Sequence, residues 1–217
     1  SIIYYSPTDM GVNMIGFCII NNDIIEEASK KEIIRRYYEE LNNFKMGLCD
    51  EDTYKKINYL MNKIHINTNI LGVIQPALDK KEKENGLPIM AIKIDEKIIF
   101  GKQTELLTAP GAAILNALKF LSDIPEDIDL ISPNIVFSIL KLKKELKSGK
   151  RLFLSEILTV LTTCSITNPS AAKAINCIGQ LRNSEAHATY IITGNDKKTL
   201  KELKINLSCE NELLDDN

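Results

Sequence analysis

The chain has 217 residues, of which 44% are hydrophobic and 26% charged, a composition typical of a globular protein with one large domain or two small ones. Its formal net charge of −2 lacks the basic surplus of nucleic-acid-binding proteins, so no nucleic-acid partner is predicted. Its longest apolar runs, such as residues 14–20, are far shorter than the roughly 20 residues that span a membrane, so no membrane partner is predicted either.

The first part of the chain has a helical periodicity of apolar residues. This spacing predicts four helices, over residues 11–20, 23–47, 50–64 and 70–85. Asp23 and Asp50 are suited to cap the second and third of these helices, because an aspartate oxygen accepts from free amides of the first turn. Pairs of Glu and Lys at i,i+4 spacing also favour the second helix. We therefore predict a helical subdomain over residues 1–87.

After residue 87 the pattern changes to strands that alternate with helices. The predicted order is a hairpin around Asp95, a helix over 111–121, a strand over 128–132, helices from 133, over 154–165 and over 170–180, a strand over 187–193, a short helix from Asp196, and a strand over 205–210. Such an order predicts an α/β fold with a mixed sheet and helices on its faces, in three layers, over residues 88–217.

This order of elements is similar to the cytidine-deaminase-like topology, in which two helix starts hold a zinc ion. The corresponding starts here are "TAPGAAIL" (108–115) and "SPNIV" (132–136), and neither supplies a His or Cys ligand. A catalytic zinc needs about three protein ligands. We therefore predict the topology without the zinc site, and no metal. The five cysteines are dispersed without a CxxC pair, which indicates reduced thiols in a cytoplasmic protein.

One lysine lies in a stretch that partly resembles a phosphate-binding loop. "GKQT" (101–104) lacks the first glycine and the hydroxyl residue of a phosphate-binding P-loop. Lys102 at a strand end is still a candidate ligand for an anion, and an ordinary surface lysine is the alternative.

The opening segment "YYSPTDMGVNMIGF" (4–17) gathers polar side chains around a proline and a glycine. Ser6, Asp9 and Asn13 fit either a helix start or the edge of a site, in which Asp9 would be catalytic and the other two would bind a ligand. Arg35 and Arg36 are candidate partners for Asp9 or for an anionic ligand, with a structural pairing as the alternative.

Two further stretches contain candidate site residues. In "LRNSEAHATY" (181–190), Glu185 and His187 lie two residues apart and would share one face of a strand near Arg182. A carboxylate that orients an imidazole is a usable acid/base pair, and a structural histidine is the alternative. Asn168 before Pro169 places hydroxyl residues at a helix N-terminus, which suits an anion.

Several of these stretches occur together in one known family. "SPTDMGVNM", "EASKKEIIRRYY", "LNALK", "LISP", "TNPSA" and "EAH", in this order, resemble the C-terminal half of the bacterial uncharacterised protein family 0371, which has no known function. The resemblance covers nearly the whole chain. It implies a partner in the form of a missing N-terminal half with a P-loop-like segment, and therefore no cofactor in this chain. It also implies a small helical subdomain followed by an α/β subdomain.

Two functions follow as hypotheses. In the first, the chain belongs to a protein that binds or acts on a phosphorylated or nucleotide-like small molecule, with the candidate residues in one cleft. In the second, it is a non-catalytic scaffold, and the apolar helices between residues 24 and 64 predict a homo-oligomer. The two hypotheses differ in whether the candidate residues converge in one concave site.

Overall fold

The computed structural model describes residues 22–214, which contain eight α-helices and a four-stranded sheet. The helices are α1 (Asn22–Lys45), α2 (Glu51–Lys63), α3 (Ile74–Lys83), α4 (Ala109–Leu121), α5 (Pro133–Glu145), α6 (Leu154–Cys164), α7 (Pro169–Asn176) and α8 (Gly194–Glu202). The strands are β1 (Ile89–Ile94), β2 (Lys97–Lys102), β3 (Glu185–Ala188) and β4 (Asn206–Cys209). Two 3₁₀ turns cover Thr68–Leu71 and Ile178–Leu181. The predicted mixed α/β class is confirmed, and the helix predicted over 11–20 lies outside the described residues.

The chain divides into two compact units, Ser1–Leu71 and Gly72–Asn217. The sequence predicts this boundary at residue 87 instead, where the helical periodicity changes to a strand periodicity. Helix α3 nevertheless belongs to the second unit, because it packs against β1 and β3. Among the helices of residues 22–214, none is both long enough and apolar enough to cross a bilayer.

In the first unit, α1 packs against α2. Ile34 and Tyr38 of α1 and Met61 of α2 are buried, so each helix turns an apolar stripe inward. The exposed side of α1 carries the predicted i,i+4 pairs, with Lys30 Nζ 2.5 Å from Glu26 Oε1 and Lys31 close to Glu27 in the same way. Such pairs support a long helix only modestly, and the buried stripe supplies most of its stability.

The strands of the second unit form one mixed sheet in the order β2-β1-β3-β4. Strand β1 is antiparallel to β2 and β3, and β3 is parallel to β4. The predicted hairpin is confirmed, and Asp95 takes the positive φ (51°) of its tight turn.

The strand predicted over residues 128–132 is wrong. This segment forms a bend before α5, while Leu130 and Ile131 are buried in the core. A short apolar run does not distinguish a strand from a buried connection, because only the pairing of its backbone with another strand decides. The strand predicted over 187–193 is also shorter than expected, since β3 ends at Ala188. One of the five predicted strands is therefore missing from the described residues.

Both faces of β1 are buried. Met90 and Ile92 belong to one large apolar core with α4, whereas Ile89 and Ala91 alternate to the opposite face of the sheet. Helix α3 packs on β1 and β3, and α4 packs on β1 and β2. The apolar run "IMAIKI" thus reflects a central strand that helices cover on both sides.

Candidate functional site

An open groove of about 680 Å³ runs along β2 between α3 and α4. Four lysines line it: Lys80, Lys97, Lys102 and Lys119. Three carboxylates also line it, together with the rings of Phe100 and Phe120. All of these residues belong to the second unit, and among the predicted site residues that the structure describes, Lys102 is the one that lines this groove.

On the α3 side, two lysines share one carboxylate. Lys102 Nζ lies 2.9 Å from Glu84 Oε2, and Lys80 Nζ lies 2.9 Å from Glu84 Oε1. The hydrogen bonds from Lys102 and then Lys80 lower the pKa of Glu84 to about 2. Glu84 is therefore ionised at any physiological pH and neutralises part of this side of the groove.

On the α4 side, two lysines lack a carboxylate partner among residues 22–214. Lys97 Nζ lies 4.6 Å from the centroid of the Phe120 ring, a cation–π contact. Lys119 Nζ donates to the backbone carbonyl of Glu126 at 2.9 Å. Sequence reasoning missed both lysines, because their convergence depends on how α4 crosses the sheet.

His187 is fully buried between β3 and β4. Its Nδ1 lies 2.8 Å from Ser208 Oγ, and its Nε2 lies 3.1 Å from Glu210 Oε1. Asn206 Nδ2 donates to Glu185 Oε1 at 3.4 Å. The ring nitrogens thus tie the two parallel strands together, and the acid/base role of Glu185 and His187 stays a prediction.

The two arginines of α1 both contact Glu32 on the same helix. Arg35 Nη2 lies 3.0 Å from Glu32 Oε2, and Arg36 Nε lies 3.3 Å from Glu32 Oε1. Their proposed partner Asp9 lies outside the described residues, as do the other candidates of the opening segment, Ser6 and Asn13. The structure therefore shows an intrahelical pairing of the arginines and leaves the opening segment a prediction.

Asn168 caps its own helix. Its Oδ1 accepts from the amides of Ser170 (2.9 Å) and Ala171 (3.3 Å). These are first-turn amides of α7, which the predicted anion would have used. Arg182 is exposed after the second 3₁₀ turn. Neither residue lines the groove.

A buried carboxyl that sequence reasoning assigned only as a helix cap connects three helix starts. Asp196, in the first turn of α8, accepts from the Leu154 amide at 2.7 Å, and the Thr108 hydroxyl also bonds to it. Thr108 in turn caps α4 by accepting from the Gly111 amide at 3.4 Å. Burial raises the pKa of Asp196 above its ordinary value of 3.8. The turn at "TAPGAA" is therefore part of a structural junction.

We expect Asp196→Asn to flatten the pH dependence of stability. The folded chain binds the Asp196 proton more tightly than the unfolded chain, so the stability from this group is present below pH 3.8 and is lost as pH rises through the higher folded-state pKa. Asparagine keeps an acceptor for the Leu154 amide and removes the titration. Urea unfolding between pH 3 and 7 measures both profiles, and identical slopes in the two proteins would contradict the assignment.

No group of three or more His, Cys, Asp or Glu side chains within residues 22–214 is arranged to hold a metal ion. Among the cysteines of this range, Cys49, Cys164 and Cys177 are free thiols.

Comparison with known proteins gives the family of the chain. Residues 70–217 match the domain of unknown function DUF1846, C-terminal, and residues 1–65 match its N-terminal counterpart. The UPF0371 protein of Clostridium botulinum strain Eklund 17B is 39% identical over 96% of this chain and 43% of the relative. The UPF0371 protein of Streptococcus pneumoniae strain Hungary19A-6 is 42% identical over 95% of this chain and 42% of the relative.

Two points follow from these matches. The chain spans less than half the length of these curated relatives. The match of residues 1–65 to the N-terminal domain also differs from the expectation that the chain is purely a C-terminal half. By the match over residues 70–217, the chain belongs to the DUF1846 family, and the curated relatives that it matches are UPF0371 proteins.

Proposed function

We propose that the second unit binds an anionic ligand in the groove between α3 and α4. The observation that carries this proposal is the pair Lys97 and Lys119, two ammonium groups on one groove wall without a carboxylate partner in the described chain. An anion that enters the groove gains charge-assisted hydrogen bonds there without first breaking an ion pair. A phosphorylated or nucleotide-like small molecule and a carboxylate-rich molecule both meet this requirement.

The charge balance of the opposite wall supports the same proposal. Glu84 already occupies Lys80 and Lys102 with its two carboxylate oxygens. Two ammonium groups share one carboxylate, so this wall keeps a net charge of +1 that attracts a further negative group. The rings of Phe100 and Phe120 give the groove apolar surface beside the charges.

The experiment is a calorimetric titration of the 217-residue chain with inorganic pyrophosphate and with poly-L-glutamate. We expect saturable binding of at least one anion, weakened by salt because exposed charges are screened. The double variant Lys97→Glu with Lys119→Glu should abolish it. Lys141→Glu, an exposed lysine on α5 outside the groove, is the matched control and should bind normally. If neither anion binds, the proposal is overturned.

A second candidate function is self-association as a scaffold. Three large apolar side chains lie on one face of α5 or just after its end. Their exposed fractions are 40% for Ile135, 56% for Leu142 and 66% for Leu146. A row of large apolar side chains in water is typical of an interaction surface. We propose a second copy of the chain as its partner, on a different surface from the helices between residues 24 and 64 that led to the predicted homo-oligomer.

Sedimentation velocity tests the self-association. We expect a dimer or larger species for the natural chain and a monomer for Leu142→Glu, because a carboxylate in an apolar interface loses its hydration. Lys141→Glu makes a similar charge change beside this face and should leave the assembly intact. A natural chain that sediments as a monomer at all concentrations contradicts the scaffold hypothesis.

A further inference from the structure

The outer backbone edge of β2 faces the groove. Strand β2 ends the sheet, and β1 is its neighbour on the other side. The amide of Gln103 donates to the carbonyl of Pro88 at 2.9 Å, so the backbone polar groups of residue 103 point inward to β1. The carbonyl of Phe100 instead accepts from the side chain of Asn116 at 2.8 Å, so the backbone polar groups of residue 100 point outward, away from β1.

The same alternation determines which backbone N–H and C=O groups of β2 face outward. The backbone groups of successive residues face inward and outward in turn along an antiparallel edge strand. Those of Ile98 and Lys102 therefore face outward, like those of Phe100. Within the described chain, the backbone groups of Ile98 have no partner strand on that side. The side-chain amide of Asn116 occupies the place that an N–H of an added strand would take. An edge of this kind is a template for strand addition.

The lysines lie on both faces of this edge. Lys97 pairs with Ile94, which belongs to the core beneath α4, and its ammonium contacts Phe120 of that helix. Lys102 alternates to the other face, where it contacts Glu84 just after α3. Successive side chains of an added strand point to opposite faces as well. An extended segment with carboxylates on both faces therefore meets a lysine on each side.

A second copy of β2 fits this edge poorly. Antiparallel pairing of two β2 edges through their Phe100 residues would set Lys102 of one copy opposite Ile98 of the other, and it would bring no carboxylate to Lys97 or Lys102. Four lysines against three carboxylates line the groove, and Lys97 and Lys119 have no carboxylate partner within residues 22–214, so an acidic partner is favoured instead.

From this geometry we infer that the groove binds an extended acidic peptide segment, which adds to β2 as a fifth strand. Its backbone pairs with the outward groups of Ile98 and with the amide of Phe100, beside the Asn116 side chain that already donates to the Phe100 carbonyl, and its carboxylates contact the lysines on the two faces. Strand β2 has six residues, so the segment that pairs with it is of similar length. The inference rests on the proposed anion binding and names the class of the anion.

The test is fluorescence anisotropy of the 217-residue chain with a fluorescein-labelled hexapeptide, DVEEVD, which has carboxylates on both strand faces. A second hexapeptide has the same sequence with every backbone amide N-methylated. It keeps the charges and loses the donors of a strand. We expect the methylated peptide to bind about tenfold more weakly than the unmethylated one, which is the effect of losing about one hydrogen bond.

Variants of one residue separate the backbone from the side chain. Ile98→Pro removes an outward N–H that makes no bond to β1, and proline is tolerated on the open side of an edge strand. Ile98→Ala keeps this N–H and shortens the side chain, so it is the matched control. We expect about tenfold weaker peptide binding for Ile98→Pro than for Ile98→Ala. Circular dichroism checks that both variants are folded.

The outcomes distinguish this inference from the proposed function. Equal binding of the methylated and unmethylated peptides overturns strand addition. Pyrophosphate binding that requires Lys97 and Lys119, without peptide binding, also overturns it and leaves the proposed anion site standing. Failure of pyrophosphate, poly-L-glutamate and the hexapeptide alike overturns both proposals. If Ile98→Pro unfolds, the methylated peptide alone decides.

Discussion

Gly101→Ala should destabilise the chain by about 3 kcal/mol or more, because it places a methyl group inside the backbone of a neighbouring helix. A Cβ at Gly101 would lie 2.0 Å from the Ala113 amide nitrogen and 2.4 Å from the Ala109 carbonyl oxygen. Both atoms belong to the backbone of α4, so no side chain is able to rotate away. Relief requires α4 to move off β2, which opens the apolar core beneath it.

Urea unfolding followed by circular dichroism measures this effect as a change in the free energy of unfolding. Gly179→Ala is the matched control, since an added Cβ there meets no heavy atom within 4 Å. We expect the control to change stability by less than about 0.5 kcal/mol. An unfolding midpoint for Gly101→Ala equal to that of the natural chain would show that β2 and α4 are not in the close contact described.

His187→Ala should cost about 2–4 kcal/mol of folding free energy. The imidazole is fully buried, and both of its nitrogens lie within hydrogen-bond distance of groups from β4 and the residue after it. Alanine leaves a cavity and removes one of the two partners of the buried Ser208 hydroxyl, which keeps its contact with the Ala186 carbonyl. Loss of these bonds separates two parallel strands whose ladder is only four residues long.

Thermal and urea unfolding of His187→Ala distinguish this structural role from an acid/base role. Glu210→Gln keeps an acceptor for the ring Nε2–H, and we expect it to change stability by less than about 1 kcal/mol. A His187→Ala protein of unchanged stability that loses binding of pyrophosphate or of the hexapeptide would instead assign His187 to the site.

Much of the local structure follows from residue spacing. The hairpin at Asp95 and the helices at Glu51–Lys63 and Leu154–Cys164 match their predictions, because turn chemistry and apolar periodicity act over a few residues. The strand expected over 128–132 did not form, because its apolar residues are buried without strand pairing. Burial and pairing are separate requirements, and a single sequence reports only the first.

The candidate site depends on contacts between residues that are far apart in the chain. Lys102 was recognisable as a cation at a strand end, whereas its partner Glu84 lies 18 residues earlier. Lys97 was part of a strand pattern, and only the packing of α4 on β2 placed it beside Lys119 in one groove. Asp196 was predicted to cap its own helix, but Thr193 is the N-cap there, and the Asp196 carboxylate accepts from the Leu154 amide 42 residues earlier.

By itself, the sequence determined the class of the protein, the helices and the hairpin, since these depend on composition and on interactions between near neighbours. It also carried the family motifs. Only the tertiary structure decided which strand lies at the open edge of the sheet and which lysines surround that edge. The reason is physical: an edge, a groove and an ion pair between distant residues are properties of the order in which strands and helices pack, and local spacing does not encode that order.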